Sequence, residues 1–162
     1  MKPDYKKKIR AYMDNSVEYG KFLRKIKSSK YLDLDKTFRQ THERVFQKID
    51  CLECANCCKT TSPIFRSIDI ERLSLSLKMK SAAFIEQYLV KDEEGDYVLK
   101  MAPCPFLEDD NRCKVYESRP LACKEYPHTN RKKMFQILDL THKNGSICPA
   151  VAEIVAQIKS RG

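Results

Sequence analysis

Glycine is scarce in this chain of 162 residues, occurring only at Gly20, Gly95, Gly145 and Gly162. No loop therefore holds the spaced glycines that let a backbone close around phosphates. That excludes a P-loop and a dinucleotide-binding fingerprint, and argues against nucleotide-driven enzymes of the common folds. Long apolar runs are also missing. No stretch reaches the roughly 18 apolar residues that a membrane span needs, so no membrane partner is expected. The opening MKPDYKKKIRAYMDNSVEYG has no apolar core of a signal peptide, and the expectation is a cytoplasmic protein. No Ser-His-Asp set or paired-carboxylate signature can be read from spacing, so no catalytic residue is assigned and enzyme activity is left open.

What is present is cysteine and positive charge. Eight cysteines occur. In a reducing compartment they read as metal ligands or redox groups, not disulfides. Their share of the chain also lies below the roughly 8–10% of disulfide scaffolds. The net charge is +9, and it is uneven. Residues 1–50 hold 14 Lys or Arg against 7 Asp or Glu, and residues 51–162 hold 17 against 15. A basic first third can attract nucleic acid or an acidic partner, or form a solvated helical face. The change of character near residue 50 divides the reading into a basic N-terminal helical segment, 1–50, and a cysteine-cluster metal-binding domain, 51–162.

Hydrophobic spacing predicts the elements. Tyr5, Ile9, Tyr12, Ser16, Tyr19, Leu23 and Ile26 recur at three- and four-residue steps, which predicts one helix over 4–30. A second is predicted over about 35–49, with Phe38, His42, Val45, Phe46 and Ile49 on one face; His42 there reads as a packed histidine. Asp69 and Ser81 read as caps of two further helices. Asp92 to Asp96 is a polar turn, and Tyr97 to Met101 a strand. Cys104 and Cys113 flank the turn signal Glu108-Asp109-Asp110-Asn111, which predicts a hairpin with the two cysteines on facing arms. Phe135 to Leu140 reads as another strand, and Pro149 opens a last helix to about 159. The fold class is α+β: a small cysteine-rich domain with N-terminal helices and a short β-hairpin.

The cysteines form one pattern. Cys51-x2-Cys54-x2-Cys57-Cys58 is followed by Cys104, Cys113, Cys123 and Cys148. A C-x2-C loop can turn both sulfurs toward one metal with its backbone N–H groups pointing at the thiolates, which serves zinc and iron–sulfur clusters alike. Thr61 stands where a ferredoxin run, or a radical C-x3-C-x2-C motif, needs its next cysteine. Both are thereby rejected, and the want of a second C-x2-C knuckle weakens a simple zinc ribbon but not zinc in general. An extended backbone would point Cys57 and Cys58 to opposite sides, one to the metal of Cys51 and Cys54 and the other to a second site; one cluster with spare thiols is equally allowed. Iron–sulfur is favoured over zinc.

The order CLECANCC, SIDIERLSLSLKMKSAAFIEQYL, APCPFLEDDNRCKVYESRPLACKEYP resembles the YkgJ-type CxxCxxCC cysteine-cluster family, described as zinc- or iron-chelating. The resemblance covers about residues 51–150, with Cys-Pro-Phe-Leu, Cys-x-Val-Tyr-Glu-x-Arg-Pro and Cys-x-x-Tyr-Pro in order. It implies metal binding at Cys51, Cys54, Cys57, Cys58, Cys104, Cys113 and Cys123, and the Cys-Pro context adds Cys148. The cluster is also similar to that of flagellin lysine N-methylases, which implies a four-iron cluster and a role in modifying a protein or peptide substrate. Those proteins are larger, so activity does not carry over.

Other residues carry weaker expectations. Arg119 reads as an anion binder or as half of a structural ion pair. Tyr116 and Tyr126 are expected to pack around the metal and exclude water. His128 and His142 are spare ligands. Three functional readings follow: a metal protein holding an iron–sulfur cluster or zinc, a zinc-stabilised module whose basic helices contact nucleic acid or an acidic partner, and a metal carrier or redox relay.

Overall fold

The computed structural model describes residues 1–28 and 33–161. In chain order it holds helices α1 (Pro3–Asp14), α2 (Ser16–Lys27), α3 (Leu34–Phe46), α4 (Asn56–Thr60), α5 (Ser67–Ser76) and α6 (Ser81–Tyr88). Strands β1 (Leu89–Lys91) and β2 (Tyr97–Leu99) follow, then α7 (Leu121–Glu125), α8 (Leu138–Gly145) and α9 (Pro149–Lys159). Short 3₁₀ turns lie at Cys51–Glu53, Tyr116–Ser118 and Met134–Gln136. The chain is a small α+β protein with N-terminal helices and a short antiparallel hairpin. It divides into two compact units: Met1–Cys54 with Pro127–Gly162, and Ala55–Tyr126.

The first unit is helical. α1 and α3 pack on α9, and α2 packs on α8. Its core gathers Tyr12, Leu23, Phe38, Val45, Met134, Leu138, Val151, Ile154 and Val155, all nearly or fully buried. α9 is the central element because it is apolar nearly all round, as a helix surrounded by others must be. Pro149 at its first position fits the orphan amide there.

The predicted single helix over 4–30 is two helices, and positions 29 and 30 lie outside the described residues. The break falls at Asn15. Its side-chain amide donates back to the Ala11 carbonyl at 2.9 Å, and its backbone turns out of the helical region at φ −110°, ψ 18°. The break frees the two halves to pack on different partners, α1 on α9 and α2 on α8. Tyr12, fully buried, stacks on Tyr19 at 4.6 Å between ring centres, and its hydroxyl meets His142 Nδ1 at 2.8 Å. Gly145 makes room for that ring. A Cβ there would stand 2.2 Å from Tyr12 Cζ. His42 is the packed histidine expected of it, half-buried against Phe46 and bonded through Nδ1 to Thr129 Oγ1 at 2.9 Å. The predicted strand over Phe135 to Leu140 is instead a 3₁₀ turn running into α8. Met134, Leu138 and Thr141 are the buried residues, at helical steps, while Phe135 and Leu140 are exposed.

The second unit pairs β1 with β2 in register Leu89–Leu99, Val90–Val98 and Lys91–Tyr97. α5 and α6 pack against each other, and Leu73 and Phe84 form a fully buried centre with Phe65, Ile70, Leu89, Leu99, Phe106 and Val115. Asp69 and Ser81 are not the N-cap residues predicted. Those positions belong to Arg66 and Lys80, with Ser81 opening α6. Asp69 instead caps from within α5, its carboxylate accepting from the Arg66 N–H at 3.2 Å.

Substituting Gly145 by Ala drives a methyl into the Tyr12 ring. The expected cost is about 1–3 kcal/mol, in the range of overpacked cores, read as a lower denaturation midpoint in urea.

Candidate metal centre

Each cysteine-bearing segment has a local reason for its shape. Asp50 accepts from the Leu52 N–H at 2.9 Å and starts the 3₁₀ turn that carries Cys51. Tyr5 holds the same turn in the first unit: its hydroxyl accepts from the Asp50 N–H at 3.1 Å and donates to Glu53 Oε2 at 3.0 Å. In that unit Cys148 lies just before α9. Burial pushes its thiol up to about 12; the N–H groups of Val151 and Ala150 pull the other way, and Cys51 and Cys54 push it further up. Amides at a helix N-terminus have no intrahelical partner, so they are available to a sulfur.

The other five cysteines belong to the second unit. Ala55 takes the left-handed conformation, φ 49°, and opens α4, which carries Cys57 and Cys58. The doublet is therefore helical, not extended, and its sulfurs are neighbours 4.0 Å apart instead of facing opposite sides. Cys58 is held low, at about 7, because its sulfur is bonded to Cys57 and Lys59 adds positive charge, and these outweigh burial.

Cys104 and Cys113 are tied to that helix. The Cys104 N–H donates to the Cys58 carbonyl at 2.8 Å, and Lys59 Nζ donates to Asn111 Oδ1 at 2.8 Å. The segment between them is not the predicted hairpin of strands. It is a tight loop closed by one bridge, Leu107 to Cys113, with the Lys114 N–H on the Phe106 carbonyl at 2.8 Å. Phe106 and Val115, each two residues past a cysteine, sit in the unit's core and anchor the two arms. Phe106 stacks parallel to Phe84 at 6.2 Å.

The thiols of this unit share one field. Burial raises Cys104; the N–H groups of Phe106 and Leu107 oppose it, and Cys58 and Cys113 add to it. Burial likewise raises Cys113, against the Val115 N–H and with Cys58. Cys123, on α7, is pushed up to about 12 by burial and then by Cys58, Cys104 and Cys113. Every pair among Cys58, Cys104, Cys113 and Cys123 thus interacts. Their donor chemistry fits a soft metal or an iron–sulfur cluster: thiols only, half-buried, with backbone N–H groups favouring the thiolate at Cys104 and Cys113. Among the described residues, no three His, Cys, Asp or Glu side chains already stand at the spacing of metal ligands.

The other sequence candidates fare differently. Arg119 makes no ion pair among the described residues. Its guanidinium stacks on the Tyr116 ring at 3.6 Å and donates to the Tyr116 carbonyl at 2.5 Å. Tyr116 is exposed and seals nothing. His142 is used by Tyr12. Sequence reasoning missed a role for Asp69 beyond helix capping: it is fully buried and also accepts from Arg72 and from the Leu121 N–H. The signal was present, since Arg66 and Arg72 flank it at three-residue steps.

Cys58 is held low by its neighbours, while burial keeps the Cys123 and Cys148 thiols high. In the metal-free protein at neutral pH a limiting amount of iodoacetamide is expected to label Cys58 well before Cys123 and Cys148, as peptide mapping of the alkylated chain would show. Early labelling of Cys148 would contradict the assignment.

No curated protein and no solved structure matches the chain. Residues 50–149 match the family described as "CxxCxxCC: Putative zinc- or iron-chelating domain". That match takes in all eight cysteines and more than half of the chain: the protein belongs to the CxxCxxCC family.

Proposed function

We propose that this protein chelates a metal through its clustered cysteines, as an iron–sulfur cluster in preference to zinc, in a reducing, cytoplasmic setting. The observation that carries the reading is the family match over residues 50–149, which takes in all eight cysteines, five of them in one compact unit. Neighbouring thiolates repel one another, and a bound metal relieves that repulsion. Cys51, Cys54 and Cys148 supply further sulfur in the other unit, and Cys57, beside Cys58, completes the set.

All-thiolate donors suit both metals. The likeness of the cysteine order to the cluster of flagellin lysine N-methylases favours iron, and a role in modifying a protein or peptide follows from that likeness alone. A bound cluster would supply one-electron chemistry or an open iron, and zinc would supply a structural cross-link. The chain's own residues hold and tune the group: Phe106, Leu107 and Val115 through their N–H groups, and the buried aromatic core through exclusion of water.

A second reading has one observation in its favour. The first unit carries 20 Lys or Arg against 10 Asp or Glu, and the second 11 against 12, so the positive charge belongs entirely to the helical unit. A zinc-stabilised module that contacts nucleic acid would be built that way. Reversing the exposed Lys6, Lys7 and Arg10 to Glu would then abolish a salt-dependent affinity for nucleic acid, while metal content stays unchanged.

Anaerobic purification with metal and sulfide analysis decides between the metals. A brown protein with iron and labile sulfide is expected. A colourless protein holding zinc sinks the iron preference, and one holding neither sinks chelation. Serine at Cys58, Cys104, Cys113 or Cys123 is expected to lower metal content. Because Cys104, Cys113 and Cys123 sit above the ordinary thiol value, they must release protons on binding. Zinc affinity of the metal-free chain therefore rises with pH, and an affinity that does not change between pH 6 and 8 argues against thiolate ligation.

A further inference from the structure

We propose that Asp69 is a positioning residue for the metal centre, a buried carboxylate that sets the turn carrying Cys123. The proposal rests on the metal-chelating reading above.

A carboxylate with no exposed surface must be fully bonded to persist. Asp69 divides its two oxygens between two tasks. Oδ2 accepts from the N–H and Nε of Arg66, both at 3.2 Å. That bond to the Arg66 N–H closes the start of its own helix, α5. Oδ1 reaches elsewhere: it accepts from Arg72 at 2.6 Å and from the Leu121 N–H at 3.1 Å, 52 residues along the chain.

Leu121 is the first residue of α7, and Cys123 is the third. A helix of five residues cannot stabilise itself, and its first amides need acceptors. The residue before it, Pro120, has no side-chain acceptor to offer. Asp69 does the work of that missing cap from a distant helix. Arg72 extends the hold backwards: its guanidinium donates to the Ser118 carbonyl at 3.1 Å and to the Arg119 carbonyl at 2.9 Å. The backbone on the approach to Cys123 is thus tied, at Ser118, Arg119 and Leu121, to one carboxylate and its arginine. Capping α5 alone needs no buried charge, since a Ser or Thr at the N-cap would serve. The second oxygen and Arg72 point to Cys123 as the element being fixed.

The test uses the metal-free full-length chain titrated with cobalt(II), whose thiolate charge-transfer absorbance grows with the number of sulfurs bound. Asp69→Asn is expected to lose the same share of that absorbance as Cys123→Ser. Adding Asp69→Asn to Cys123→Ser is expected to cause no further loss, because both act on one ligand. Arg72→Gln touches a partly exposed residue and keeps the test open should Asp69→Asn fail to fold. It is expected to weaken cobalt binding several-fold, and to do so only while Cys123 is present. Leu23→Ala, a core change in the other unit, is expected to lower the melting temperature and keep the full absorbance. Full absorbance in Asp69→Asn together with unweakened binding in Arg72→Gln overturns the proposal. So do losses that simply add in the double variant, or an equal loss in Leu23→Ala. A wild-type chain that gives no thiolate–cobalt band overturns the metal reading itself, which is a different result.

Discussion

Sulfur charge is the constraint around which the second unit is organised. Its cysteines lie close enough to raise one another's pKa and deep enough that burial raises them further. Left alone, such thiols keep their protons. The surroundings work against that tendency at chosen points: backbone N–H groups at Cys104 and Cys113, Lys59 at Cys58, and Arg119 beside Cys113 and Cys123. The arrangement is poised, resisting a full set of bare thiolates while easing the formation of each one.

The rest of the unit holds loops still where they have little structure of their own. The arms bearing Cys104 and Cys113 are each pinned by an apolar residue two positions on, Phe106 or Val115, in a core built by α5, α6 and the hairpin. The doublet is joined to the same loop by the Cys104 N–H and by Lys59. Ordering a backbone costs roughly 1–2 kcal/mol per residue, so short loops keep one shape only where buried anchors recur. Here they recur beside the cysteines.

Much of this was legible in the sequence, and what was missed has physical reasons. α9 ran as predicted from Pro149 to Lys159 because proline and an apolar helical period agree there. α3 followed its stripe of Phe38 and Val45. The break at Asn15 was hidden because the apolar period continues through it; only the identity of the packing partners separates one helix from two. Residues 135–140 mimic a strand by alternation, yet the positions that matter begin earlier, at Met134, and follow a helical step. The cysteine set was visible from spacing, but the helical state of Cys57 and Cys58 hangs on a left-handed Ala55 that no propensity announces. The long reach of Asp69 joins residues far apart in the chain, which local patterns do not encode.

The division of the chain has a consequence for how it comes off the ribosome. Ala55–Tyr126 is one uninterrupted segment, so all its core residues are available once Tyr126 has emerged. The other unit is split: α1, α2 and α3 are made before that segment, but α9, on which α1 and α3 pack, is made after it. The nested segment can therefore settle early, with its thiols gathered, while the basic helices wait with their apolar faces uncovered until α9 is synthesised. Sequence similarity and packing also draw different borders, for the family match at 50–149 omits α1–α3 and most of α9. An excised segment with those limits would hold every cysteine of the family and lack much of the core that shelters Cys54 and Cys148.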